Sequence, residues 1–103
     1  MKAYCIVYEL LEDPEMFEEY RRQAGPTVEA YQGRFLVRSG AFTVLEGDMP
    51  FERIAMLEFP SRDAAESWYH SPEYQRILPL RVNASRSQFL LVDGVDEESD
   101  TGT

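Results

Sequence analysis

Cysteine, lysine and histidine are nearly missing from this chain, and it contains no long apolar run. Each shortage closes off a class of function. Cys5 is the single cysteine among 103 residues, so neither an intrachain disulfide framework nor a cysteine-based zinc cluster can form. One lysine and nine scattered arginines give no clustered basic face of the kind that phosphate backbones require, which argues against a nucleic-acid partner. Only about six apolar or aromatic residues run together before Glu9, too few for a signal-peptide core and far fewer than a membrane span needs. The chain reads as soluble and cytoplasmic, with no membrane partner. Glycine-rich phosphate loops, paired serine and histidine motifs, and carboxylates at metal-ligand spacing are also missing. The sequence therefore calls for no cofactor and no metal.

What is present is an acidic, aromatic-rich sequence of one domain's length. The net charge is −9, but Asp93, Asp96, Glu97, Glu98 and Asp100 supply five of those negatives and leave only −4 on the rest. Residues 1–95 read as the folded domain. Residues 96–103 read as an acidic, disordered tail, because they offer nothing to bury.

From Ala3 to Tyr8 every residue is apolar or aromatic, which predicts a strand covered on both faces. Asp13 and Pro14 open a helix as N-cap and first helical residue. Phe17, Tyr20, Ala24, Val28 and Tyr31 follow at spacings of three and four, and Gly25 with Pro26 is expected to kink the helix without breaking this stripe. Arg34 to Glu46 read as a strand pair or one long bent strand with a bulge at Gly40, and the 47–50 segment turns into a strand at Arg53–Phe59. Pro60 stops that strand, Ser61 caps a helix carrying Ala65, Trp68 and Tyr69, and Ser71 with Pro72 starts another that should kink or end near Leu78 because of Pro79. Phe89 to Val92 form the last strand. The order β, α, β, β, α, β is that of an α+β ferredoxin-like fold. Two helices cover one face of a four-stranded sheet, yet three strands are apolar on both faces, so the second face is expected to meet another copy in a homodimer.

Several motifs carry a family resemblance: Tyr31-Gln-Gly33-Arg-Phe-Leu-Val-Arg38-Ser-Gly40, Val44-Leu-Glu-Gly47, Glu58-Phe-Pro-Ser61 and Trp68-Tyr-His-Ser-Pro-Glu-Tyr74-Gln. Over roughly residues 1–95 the chain resembles the DUF1330 family of the dimeric α/β-barrel, ferredoxin-like superfamily. The resemblance implies a fold and a dimer. The wider superfamily includes cofactor-independent monooxygenases, muconolactone-type isomerases, haem-dependent enzymes and ligand-binding modules, so it implies no single activity.

The candidate site residues are few. His70, the only histidine, stands beside Trp68, Tyr69 and Tyr74 and could act as a general base, although an exposed polar residue near a helix end is ordinary. With Leu45 or Glu46 opposite Arg53 across the Gly47 turn, the register brings Arg38 close to Glu58 on neighbouring strands. The pair is then either a structural ion pair or a ligand-orienting pair, with Arg38 on an anionic or polar group and Glu58 as orienter or base. Arg81 is a third cation that could equally lie on the surface. Trp68, Tyr69 and Tyr74 are core residues or the walls of an aromatic pocket. Cys5 lies mid-strand as a buried, inert thiol. Two readings stand: a metal-independent small-molecule enzyme or binder for a small polar or anionic ligand, and a non-catalytic module for self-assembly or partner binding.

Overall fold

The computed structural model describes residues 1–95; the segment read above as an acidic tail lies outside the described residues. Seven elements follow in order: β1 (Ala3–Leu11), α1 (Pro14–Ala30), β2 (Arg34–Ser39), β3 (Arg53–Phe59), α2 (Arg62–Tyr69), α3 (Pro72–Ala84) and β4 (Ser85–Asp93). The strands form one antiparallel sheet in the order β2-β3-β1-β4. This is the expected α+β ferredoxin-like fold, with the second helix delivered in two pieces.

The helix starts are those the sequence announces. Asp13, Ser61 and Ser71 each accept a backbone N–H of the first turn, from Met16, Ala64 and Tyr74 respectively, which satisfies donors that no intrahelical carbonyl can reach. Pro26 lies inside an unbroken α1 whose buried stripe is Phe17, Tyr20, Ala24 and Val28. Pro79 likewise lies inside α3, which continues to Ala84 and corrects the expected end near Leu78. The proline removes a bond to the carbonyl of Gln75, and both residues face solvent, so water can take that carbonyl and the helix can continue.

Period-two alternation in the strands divides the sheet into a covered and an open face. Ala3, Cys5, Val7 and Glu9 of β1 are buried beneath the helices with Ala55, Leu57 and Phe59 of β3. Trp68, Tyr74 and Phe59 are among the largest fully buried side chains, and the Trp68 ring lies 5.4 Å from Phe59 and 4.2 Å from Tyr74, centroid to centroid. The open face carries Tyr4, Ile6, Tyr8, Ile54 and Met56, half-buried, with Leu90 and Val92 exposed.

Two expectations for β2 are corrected. The strand stops at Ser39 and residues 40–52 contain no strand, so Gly40 is not a bulge. The irregularity falls earlier: Phe35 pairs with Leu57 and Val37 with Met56, which leaves Leu36 as the extra residue. One extra residue reverses the alternation beyond it. Arg38 therefore lies opposite Ala55 on the covered face, while Arg34 lies opposite Glu58 on the open one.

Candidate functional site

Two cavities lie between the helices and the covered face, and Phe89 of β4 lines both. The inner one, about 40 Å³, is lined by Glu9, Tyr20, Trp68, Phe35 and Phe89, with Arg21, Arg38 and Arg53 around it. The outer one, about 350 Å³, lies between α2 and β4 and is lined by Cys5, Arg62, Glu66, Tyr69, His70 and Leu91 among others. An apolar cavity that takes a benzene ring is roughly 150 Å³, so the inner space admits only the end of a molecule and the outer space admits a ring.

The polar groups of the inner cavity follow from strand register. Glu9 ends the covered-face row of β1, directly opposite Arg53 on β3 and Ser87 on β4. Its carboxylate is 3% exposed and accepts from Arg53 Nε at 3.3 Å. Burial pushes the Glu9 carboxyl above its ordinary value, and the hydrogen bond and charge of Arg53, with the more distant charges of Arg81 and Arg21, act against that rise. The result is a carboxylate with an unusual hold on a proton, enclosed by cations.

Behind Tyr20 runs a second polar line. The Tyr20 and Tyr74 hydroxyls are 2.8 Å apart, Arg81 Nε donates to the Tyr74 oxygen at 3.2 Å, and Arg81 Nη1 donates to Ser87 Oγ at 2.5 Å. Burial, followed by the neighbouring Tyr74, raises the Tyr20 hydroxyl well above its usual range. Burial also raises Tyr74, against the pull of Arg81. Both phenols are thus neutral donors at ordinary pH. Arg81 is buried, its guanidinium lies 5.0 Å from the centre of the Phe89 ring, and among the described residues no carboxylate forms an ion pair with it.

The structure distributes the six sequence-derived candidates unevenly. Trp68 and Arg38 line the inner cavity, Tyr69 and His70 the outer one. Trp68 is held in place by its indole N–H, which donates to Thr27 Oγ1 at 3.0 Å. Arg38 is exposed and stacks over Phe35 at 4.4 Å from the ring centre. His70 is an exposed C-cap residue of α2, edge-on to Tyr69. Tyr74 stands one hydrogen bond behind the cavity wall, through Tyr20.

The expected pairing of Arg38 with Glu58 is corrected. Glu58 is on the open face, bound to Arg34 at 3.0 Å and close to Lys2 at 3.5 Å, and the Leu36 bulge sends Arg38 through to the other side. Desolvation works to raise the Glu58 carboxyl, but the hydrogen bond and charge of Arg34, with Lys2 and a hydrogen bond from Tyr4, outweigh it and hold the carboxyl below its ordinary value. Cys5 lies at the floor of the outer cavity, and burial pushes its thiol up to about 12, so it is protonated and a poor nucleophile.

Glu9 was missed as a site residue and Arg81 was left open between the site and the surface, although both carry a readable signal. Glu9 continues the odd-numbered row of Ala3, Cys5 and Val7, and Arg81 continues the helical stripe of Tyr74 and Ile77. The expected break at Pro79 hid the second.

The model of a domain-of-unknown-function family, DUF1330, matches residues 2–95. No curated protein matches the chain. Among solved structures, a protein of unknown function from Rhodopseudomonas palustris superposes with a TM-score of 0.75 at 17% identity, over 92% of this chain and 83% of that one. A dimeric ferredoxin-like protein of unknown function from Jannaschia sp. CCS1 gives 0.76 at 12% identity, over 91% and 100%. SnoaB, a cofactor-independent oxygenase from Streptomyces nogalater, gives 0.67 at 13% identity, over 96% and 98%. At these identities the likeness is one of fold.

Proposed function

The chain belongs to the DUF1330 family, and from that premise we propose that it is a small-molecule enzyme or binder whose ligand, a small organic anion, sits against the covered face of the sheet. The observation that carries this reading is Glu9, a 3% exposed carboxylate on a cavity ringed by arginines, where a fold needing only stability would place an apolar residue. Arg21, Arg38 and Arg53 line the cavity with Glu9, and the charge of Arg81 also reaches that carboxylate, in a chain whose net charge is −9. Local positive charge attracts an anion. Arg21 is partly engaged by Glu18 at 3.0 Å and Arg53 by Glu9, whereas Arg38 has no carboxylate partner among the described residues and is free to meet a ligand. Trp68 and Phe89 wall the inner end, Tyr69 and His70 the outer, and Tyr74 braces Tyr20. Glu58, on the other face, is left out.

We also propose that the protein works as a homodimer through the open face. That face carries exposed Leu90 and Val92 beside Ile6, Ile54 and Met56, and the Jannaschia protein of the same fold is a dimer. Burying it leaves the cavity side accessible, so assembly and ligand binding are compatible uses of the two faces.

Arg38→Met tests the ligand reading. Arg38 is exposed, so the change should alter stability by no more than about 0.5 kcal/mol. Loss of a charged hydrogen-bond donor should weaken binding of a small carboxylate such as pyruvate by roughly tenfold, or ~1.4 kcal/mol. Calorimetric titration of both proteins gives the comparison, and equal affinities would remove Arg38 from the site.

A further inference from the structure

We infer that the inner cavity is a proton-transfer site for small 2-oxo acids, with Glu9 as the base that takes a proton from the carbon next to the carbonyl and Tyr20 as the donor to the carbonyl oxygen. This rests on the proposed ligand site and goes beyond it by assigning a reaction and a substrate class.

Enolisation needs a base that is not hydrated away from its task and a donor placed where negative charge develops. The cavity supplies both from different elements: Glu9 from β1 and Tyr20 from α1 line the same roughly 40 Å³ space. Arg53 holds the Glu9 carboxylate at 3.3 Å. The hydrogen-bonded line from Arg81 through Tyr74 to Tyr20 ends on the same cavity. Hydroxyl hydrogens rotate to suit their acceptors, so an anion in the cavity orients the line as Arg81 to Tyr74, Tyr74 to Tyr20 and Tyr20 to the anion. A buried guanidinium without a carboxylate partner then has a role: it stabilises an oxyanion two hydroxyls away.

The step balances without any further reactant. Glu9 takes the proton, the C–H electron pair becomes the new carbon–carbon double bond, and the carbonyl π pair moves onto oxygen as an enolate that Tyr20 hydrogen-bonds. Glu9, now a carboxylic acid, exchanges its proton with solvent and returns one to carbon, so that in deuterated buffer the carbon gains a deuteron. Size selects the substrate class, because the inner space takes only a carbonyl and its neighbouring carbon. The carboxylate of the substrate stays at the rim, where Arg38 is exposed and uncommitted.

The test follows the methyl protons of pyruvate, and the corresponding protons of 2-oxobutanoate, by proton NMR in deuterated buffer, with binding recorded separately by calorimetry. The wild type should exchange these protons faster than buffer alone. Glu9→Gln should slow the enzymic rate by about 10²-fold or more, and Tyr20→Phe by about 10²-fold, with circular dichroism establishing that each variant is folded. Should Glu9→Gln fail to fold, Tyr20→Phe carries the comparison, because its ring remains in place. Binding without exchange above the buffer rate overturns the proton-transfer assignment and leaves the ligand reading standing. Exchange that survives in a folded Glu9→Gln or Tyr20→Phe protein also overturns it. No binding of either acid overturns the ligand reading for this class and the inference with it.

Discussion

Glu9 stands opposite Arg53 on one neighbouring strand and Ser87 on the other, the one acidic side chain in a row that is otherwise Ala3, Cys5 and Val7. Its proton affinity is raised by burial above the ordinary 4.5, against the pull of Arg53, Arg81 and Arg21. The folded chain therefore holds this proton more tightly than the unfolded chain. Glu9 supports folding most below pH 4.5 and progressively less as the pH rises through its folded value. Glu9→Gln removes the titration, so stability of the wild type relative to this variant should decline from about pH 4.5 upward and then level off. Urea midpoints of both proteins at half-unit intervals would show this; a difference that stays flat or grows with pH would contradict it. The same residue shows how far single positions could be read. Alternation alone places Glu9 on the covered face, but nothing in the sequence says that Arg53 and Arg81 converge on it. That convergence depends on the pairing of three strands and on α3 running through Pro79.

At the scale of elements, caps and strand order were legible because each is local chemistry: Asp13, Ser61 and Ser71 cap as expected. The β2 bulge was not. Regular alternation puts Arg38 on the face of Glu58, and a hairpin with Leu45 or Glu46 opposite Arg53 would bring the two together, but the pairing with β3 sets Arg34 opposite Glu58 and shows that Leu36 is extra. The end of α1 holds a second local surprise. Gln32 takes the left-handed conformation, with φ 66°, and its N–H and that of Gly33 bond to the carbonyls of Glu29 and Val28 at 3.0 Å each. This is the usual six-residue helix stop, but glycine occupies the position after the left-handed one. The reason is packing: a Cβ on Gly33 would lie 2.5 Å from the Phe59 ring and 2.8 Å from Val28. Gly33→Ala should cost about 1–3 kcal/mol by overpacking, whereas Gln32→Gly should stabilise by up to ~1 kcal/mol by relieving the left-handed strain. Thermal melts of the two variants check the pair: an unchanged or raised midpoint for Gly33→Ala would contradict the packing reason, and a lowered midpoint for Gln32→Gly would contradict the strain.

Across the whole molecule the sheet separates two tasks. Its open face, apolar away from Arg34, Glu58 and Lys2, is the one proposed to meet a second copy, and its covered face brings Arg21, Arg38 and Arg53 to the cavity that Glu9 lines. The sequence made the first legible through strands that are apolar on both sides. It left the second obscure, because the arginines come from α1, β2 and β3 and meet only in the folded chain. The most direct measurement is a backbone and side-chain NMR titration of the full chain with pyruvate, whose relaxation times also report the size of the tumbling particle. The account predicts the tumbling time of a dimer of the 11.9 kDa chain, with saturable shifts at Glu9, Tyr20, Arg38, Trp68 and Phe89 and no saturable shifts at Ile6, Met56 or Leu90. Shifts centred on the open face, or no saturable shifts at the covered cavity, would contradict it.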